Sequence, residues 1–282
     1  RSQRYQLEAP DRSRPRAVVP PDKRGLPGGG NNMDESDRSC IIAHLSDLHT
    51  GSQYFVPNLL DRALVEVNDL NPDMVVVTGD LTSMGYRQEF REAREYLDRL
   101  QCEEVLVVPG NHDSRNVGYT HFERLFATRE TVVRKSGVTV VGVDSTEPDL
   151  DYGRIGRHRY PWIREAFMQE PDHFKIFTLH HHLLPIPGTG RERNIVNDAG
   201  DVLEVLVECG VHLVLSGHKH VPYAWRLQDM YVVNAGTVST LRLRGDTKPC
   251  YNVIEIVGDH VTIIRRYPFH GGEVVVEFDA VR

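Results

Sequence analysis

Val105-Leu106-Val107-Val108-Pro109-Gly110-Asn111-His112-Asp113 is a short apolar run that breaks abruptly into a polar cluster. The run has the length of a buried strand, and the Pro-Gly pair ends it. Asn111, His112 and Asp113 then set an amide, an imidazole and a carboxylate side by side at a strand end. The same arrangement recurs on both sides of it. Cys40 to Leu45 runs into Ser46-Asp47-Leu48-His49, and Met74 to Val77 into Thr78-Gly79-Asp80. Lys175 to Leu179 runs into His180-His181-His182, and His212 to Leu215 into Ser216-Gly217-His218-Lys219-His220.

Helical patterns lie between these strands. Pro57 opens one, with Leu59, Leu60, Ala63, Leu64 and Val67 at helical spacing. A second spans Arg87 to Leu100 and a third about Asp198 to Glu208. Strand-helix alternation implies an α/β fold with helices outside a mixed or parallel sheet. After His220 the strands come closely spaced, at 224–227, 231–234, 251–257, 261–267 and 274–278. This predicts an antiparallel half that forms a second sheet packed on the first. Residues 39–282 read as one domain. Residues 1–38 hold many prolines, scattered arginines and Gly28-Gly29-Gly30, with no apolar periodicity, so they read as a disordered N-terminal extension.

Composition narrows the function. The net charge of -7 and the lack of a basic stripe speak against a grip on long nucleic acid. No run reaches the roughly 20 apolar residues of a membrane span, and no apolar run follows the N-terminal arginines as in a secretory signal. A cytoplasmic protein is expected. Cys40, Cys102, Cys209 and Cys250 are far apart and form no Cys-x-x-Cys pair, so they read as free, mostly buried thiols.

In open α/β sheets ligands bind beyond the carboxyl ends of the strands, so five neighbouring strands would aim all five clusters at one crevice. Carboxylate, imidazole and amide oxygens suit manganese, iron, zinc or magnesium, and thiolates are missing. On extended chain the outer residues of Asp-x-His and His-x-His point to one side, so each pair can chelate.

The ordered set Asp-x-His, Gly-Asp, Gly-Asn-His-Asp, His-His and Gly-His-x-His, from Asp47 to His220, resembles the calcineurin-like metallophosphoesterase superfamily. It looks most like the cyclic-nucleotide phosphodiesterase branch. The resemblance implies a four-layer α/β/β/α sandwich of two mixed β-sheets flanked by helices. It also implies two divalent metal ions, manganese or iron before zinc or magnesium. Asp47, His49, Asp80 and His220 would hold the first ion. Asp80 would bridge to the second, held also by Asn111, His218 and a histidine of the triple, with His180 favoured and His181 its competitor. His112 occupies the slot of a catalytic, non-ligand histidine. Two ions about 3.5 to 4 Å apart can clamp the attacking and leaving oxygens of an in-line displacement.

The expected function is hydrolysis of small phosphodiesters, cyclic nucleotides among them. Phosphomonoesters and nucleotide pyrophosphates are the rival substrates, and a non-catalytic metal-binding scaffold is the rival of another class. Asp113 reads as a structural neighbour of the ligands. The loop Pro187-Gly188-Thr189-Gly190-Arg191-Glu192-Arg193-Asn194 leaves the same crevice, which makes Arg191 and Arg193 candidate substrate contacts.

Overall fold

The computed structural model describes residues 39–189 and 195–281. The expected N-terminal extension, residues 1–38, and the candidate substrate contacts Arg191 and Arg193 lie outside the described residues.

The apolar runs form strands where the sequence places them. β1 (Ser39–Leu45), β2 (Met74–Val77) and β3 (Glu104–Val107) pair in parallel. Helix α1 (Pro57–Leu70) joins β1 to β2, and α2 (Arg87–Leu97) joins β2 to β3. Pro57 sits in the first turn of α1, and Asn71 ends the helix in the left-handed region at φ 48°. The second helix is shorter than its apolar pattern, because the chain leaves it at Asp98 and Leu100 donates only to Leu97.

Between Arg115 and His173, where sequence patterning assigns no element, the chain builds α3 (Gly118–Phe126), β4 (Thr131–Lys135), β5 (Val138–Gly142) and α4 (Tyr160–Met168). It continues through β6 (Phe174–Thr178), α5 (Ala199–Glu208) and β7 (Leu213–Ser216) to β8 (Tyr223–Leu227) and β9 (Met230–Asn234). The last strands are β10 (Tyr251–Val257), β11 (His260–Tyr267) and β12 (Gly271–Asp279).

The late strands do not form a sheet of their own, contrary to the sequence expectation. Strands β10 to β12 extend the first sheet, because β10 pairs antiparallel with β1, giving the order β12-β11-β10-β1-β2-β3. Strands β8 and β9 complete the second sheet, whose order is β4-β5-β6-β7-β9-β8. Hairpin patterning fixes a strand's sequence neighbour, whereas its other edge is chosen by long-range packing.

Both sheets are mixed, and each is apolar on both faces. Ile42, Met74, Val76, Val140, Ile176 and Leu215 meet in the layer between the sheets. The alternate residues face outward. Ala43, Val75 and Val77 pack on Leu60, Leu64 and Phe90 of α1 and α2. Val141, Phe177 and Val214 pack on Ile163, Phe167, Val202 and Leu206 of α4 and α5. Period-two alternation thus yields the four-layer α/β/β/α sandwich. The carboxyl ends of β1, β2 and β3 in one sheet, and of β6 and β7 in the other, supply the loops of a common site.

Candidate metal centre

The five polar clusters belong to two facing sheets, not to five neighbours of one sheet. They still converge. Potential ligand atoms of Asp47, His49, Asp80 and His220 lie within 4.8 Å of one another, and so do those of Asp80, His180 and His218. Asp80 is common to both groups. Its Oδ2 stands 3.5 Å from His49 Nε2 and 3.4 Å from His180 Nε2. Its Oδ1 accepts from the His112 backbone N–H at 2.9 Å, which orients the carboxylate.

The first group is tight. His220 Nε2 lies 3.2 Å from Asp47 Oδ1 and 2.9 Å from His49 Nε2. The same-side placement of Asp47 and His49 does not come from extended chain. Asp47, His49, Asp80, His218 and His220 have φ of 55°, 53°, 51°, 77° and 56°. Left-handed backbone at non-glycine residues costs of order 1–3 kcal/mol each, and such strain concentrates at functional sites. The loop after β9 braces the first cluster: Thr237 Oγ1 donates to Asp47 O at 2.7 Å and Ser239 Oγ to Leu48 O at 3.0 Å. Gly217 explains the closeness of the two sheets here. A Cβ on it would overlap Ser46 Oγ and stand 2.6 Å from Asp47 Oδ2.

In the second group the Asn111 Oδ1 lies 3.1 Å from His180 Nε2 and 2.9 Å from His218 Nδ1. Asn111 Nδ2 donates to Asp151 at 3.2 Å, so the amide oxygen faces the histidines. Of the triple, His180 is the residue that faces Asp80 and Asn111. Its Nδ1–H donates to Thr78 O at 2.6 Å, leaving Nε2 toward the site. His181 instead places Nδ1 at 2.9 Å from Ser145 Oγ. His182 stacks on His218 at 5.7 Å.

Electrostatics supports a cation here. Burial opposes ionisation of Asp47 and Asp80, yet the neighbouring imidazoles outweigh it and hold both carboxyls below the usual range. Burial likewise disfavours charge on His180 and His220. Asp80 nevertheless pushes His180 up to about 9, and Asp47 raises His220. Two buried carboxylates thus need positive charge beside them, which the imidazolium forms of His180 and His220 supply in the metal-free chain. Asp47 Oδ1 is buried without a hydrogen-bond partner, although it faces the His220 and His49 nitrogens. A buried oxygen left in that state is what a bound cation satisfies. The donor set of carboxylates, imidazoles and an amide oxygen fits a pair of divalent ions sharing Asp80.

His112 lines the cavity above this site, edge-on to His49 with ring centroids 4.8 Å apart. Its Nδ1 lies 2.5 Å from Ser83 O, so that nitrogen carries the proton and Nε2 is the one available to a ligand. Burial lowers its proton affinity despite the Asp80 charge, and Arg115 adds to that effect. Arg115, Asp151, Arg242 and Arg244 also line the cavity, and sequence reasoning misses all four. Arg115 begins a 3-10 turn two residues after the third cluster, the others sit on loops, and none carries a local motif.

A family model described as calcineurin-like phosphoesterase matches residues 41–222. The chain is similar to a probable cyclic nucleotide phosphodiesterase of Rhodococcus erythropolis. The two are 25% identical over 194 residues, 64% of this chain and 64% of that protein, so the chain spans just under two thirds of this relative. A cAMP/cGMP dual specificity phosphodiesterase of Mycobacterium tuberculosis is 25% identical over 267 residues, 84% of this chain and 82% of the relative. Among solved structures, purple acid phosphatase from yellow lupin (Lupinus luteus) seeds aligns with a TM-score of 0.69 at 15% identity. That alignment covers 88% of this chain and 55% of the other, a likeness of fold.

Proposed function

The chain belongs to the calcineurin-like phosphoesterase family, and on that premise we propose that it is a dinuclear-metal hydrolase of phosphate esters, acting on small phosphodiesters such as cyclic nucleotides. One observation carries the reading. A single buried carboxylate oxygen, Asp80 Oδ2, faces an imidazole from each of the two groups. In this proposal Asp47, His49, Asp80 and His220 hold one ion, and Asp80, Asn111, His180 and His218 the other. Manganese or iron suits the mixed oxygen and nitrogen donors. When bound, such a pair supplies Lewis acidity toward the phosphoryl oxygens and acidifies water.

The residues of the chain then orient the reacting groups. Asp80, pinned by the His112 N–H, keeps the two halves of the site in register. Asp151 holds the Asn111 amide, and the Thr78 and Arg242 carbonyls accept from His180 and His220, which fixes both ring tautomers. Protonated on both nitrogens, His112 would donate to the leaving oxygen from Nε2, with Nδ1–H held by Ser83 O. The phosphodiester preference rests on the two bacterial relatives, whose names are those of cyclic nucleotide phosphodiesterases. No helix among the described residues is long and apolar enough to cross a membrane. All four thiols are free, with Cys40 and Cys250 buried and Cys102 and Cys209 half-buried. Free thiols suit the reducing cytoplasm, where we place the protein.

The purified protein is expected to contain or require two divalent ions per chain, and manganese should activate hydrolysis in a screen of mono-, di- and cyclic phosphoesters. Elemental analysis without transition metal, together with no response to added manganese, would overturn the proposal and favour an interaction scaffold. Exchanging His112 for alanine should slow turnover by roughly 10²- to 10⁴-fold with metal content retained. The loss should shrink for substrates with good leaving groups. Equal losses for poor and good leaving groups would count against proton donation.

A further inference from the structure

The site opens into a cavity of about 230 Å³ whose walls differ in charge. Its buried end is formed by residues of the candidate metal centre and His112. Its more exposed side carries Arg115, Asp151, Arg242 and Arg244, and the buried Lys219 lines it as well. Asp151 is already engaged: it pairs with Arg115 at 2.6 Å and accepts from Asn111. Among the described residues, neither Arg242 nor Arg244 has an acidic partner. Several exposed arginines elsewhere do find carboxylates, as in Arg99–Asp61, Arg157–Asp201 and Arg164–Glu208.

The loop that carries the two arginines is tethered. The Arg242 carbonyl accepts from His220 Nδ1 at 2.7 Å, and the Leu241 N–H donates to Tyr54 O at 2.9 Å. The guanidiniums are therefore delivered to this cavity by backbone contacts with the site itself. Lys219, between His218 and His220, adds charge close to Arg244. A plain phosphodiester brings one negative charge, and that charge belongs at the buried end with the scissile bond. That would leave on the exposed side two guanidiniums, those of Arg242 and Arg244, that no acid among the described residues pairs. A second phosphoryl group would match them, because guanidinium forks bind phosphate oxygens in pairs and clustered cations focus anions into a cleft.

We propose that Arg242 and Arg244, with Lys219 beside them, bind a second anionic group of the substrate. The preferred substrates are then phosphodiesters that carry a further phosphoryl group on the same molecule. This inference rests on the phosphoesterase reading above and adds a specificity site to it.

The test uses the metal-loaded full chain and two substrates with the same scissile bond, thymidine 5′-(p-nitrophenyl phosphate) and its 3′-phosphorylated form. The 3′-phosphorylated substrate should have a kcat/KM about tenfold higher or more, the scale of one added charge-assisted contact. In the double variant Arg242→Ala/Arg244→Ala the ratio should fall to within about twofold. Because it compares two substrates on one protein, the ratio is insensitive to the folded fraction. Calorimetry with thymidine 3′,5′-bisphosphate and thymidine 5′-monophosphate should show the same contrast in Kd without turnover. Equal kcat/KM and Kd in the parent, or a preference that survives the double replacement, overturns the proposal. A binding contrast with neither substrate hydrolysed would support this anion site and tell against the phosphoesterase reading alone.

Discussion

An Asp80→Ala protein is expected to lose phosphoesterase activity by about 10³-fold or more, roughly 4 kcal/mol of barrier. The size of the effect comes from the position of one carboxylate. Asp80 Oδ2 is the atom shared by the His49 and His180 nitrogens, and Oδ1 is fixed by the His112 N–H. Removing it leaves His180 buried without the counter-charge that pushes it up to about 9. It also releases the loop that carries Asn111 and His112. Both halves of the site should suffer together, so elemental analysis should show metal falling at two positions rather than one. Truncating a residue of one group alone, such as His49, should leave the other group of donors intact. An Asp80→Ala enzyme within about tenfold of the parent, a change of only ~1.4 kcal/mol, would contradict the sharing role.

The residues of this site are legible because each pair of chemical groups is adjacent in the chain. Asp47 and His49, Asn111 and His112, and His218 and His220 each come directly after an apolar strand, so local patterning locates them without any knowledge of strand pairing. Geometry adds to the sequence preference for His180 over His181: His180 reaches Asp80 and Asn111, whereas His181 Nδ1 stands against Ser145 and its Nε2 is buried without a hydrogen-bond partner. What escapes the sequence is long-range. Asp151 acts on Asn111 and Arg115 across 40 and 36 positions, and the Arg242 carbonyl meets His220 across 22. No periodicity announces such partners. The sheet assignment of β10 fails for the same reason: its hairpin with β11 is local, but its pairing with β1 joins Ser39 to Val257. The elements between Arg115 and His173 escape patterning although β5 is buried throughout, since no metal-type cluster comes after its apolar run.

Stability should depend most on Asp113, the carboxylate next to the site histidine. It is fully buried and belongs to neither group of candidate ligands, but it gathers the two loops that hold Asp80 and Asn111. Its oxygens accept from Leu81 N at 3.1 Å, Thr82 N at 2.9 Å, Thr82 Oγ1 at 2.8 Å and Gly110 N at 2.9 Å. Gly110 packs closely on the same loop, since a Cβ there would overlap the Asp80 backbone nitrogen. In Asp113→Ala three buried backbone N–H groups lose their acceptor at once. At about 1–3 kcal/mol for each unsatisfied group, the loss should reach roughly 4 kcal/mol even if water rescues one of them. Chemical denaturation should show this as a lower midpoint at unchanged slope. The effect should also depend on pH in the metal-free chain. Burial, reinforced by the Asp80 charge, pushes the Asp113 carboxyl up to about 6 from 3.8, against the hydrogen bonds that favour its ionised form. A folded value above the unfolded one means the native state holds the proton more tightly. The group's contribution is therefore complete below about pH 4 and is lost as the pH rises through about 6. The stability gap between parent and Asp113→Ala should accordingly be widest in acid and narrow between those values. A gap that widens with rising pH, or an alanine variant as stable as the parent, would show that Asp113 does not tie the two loops together.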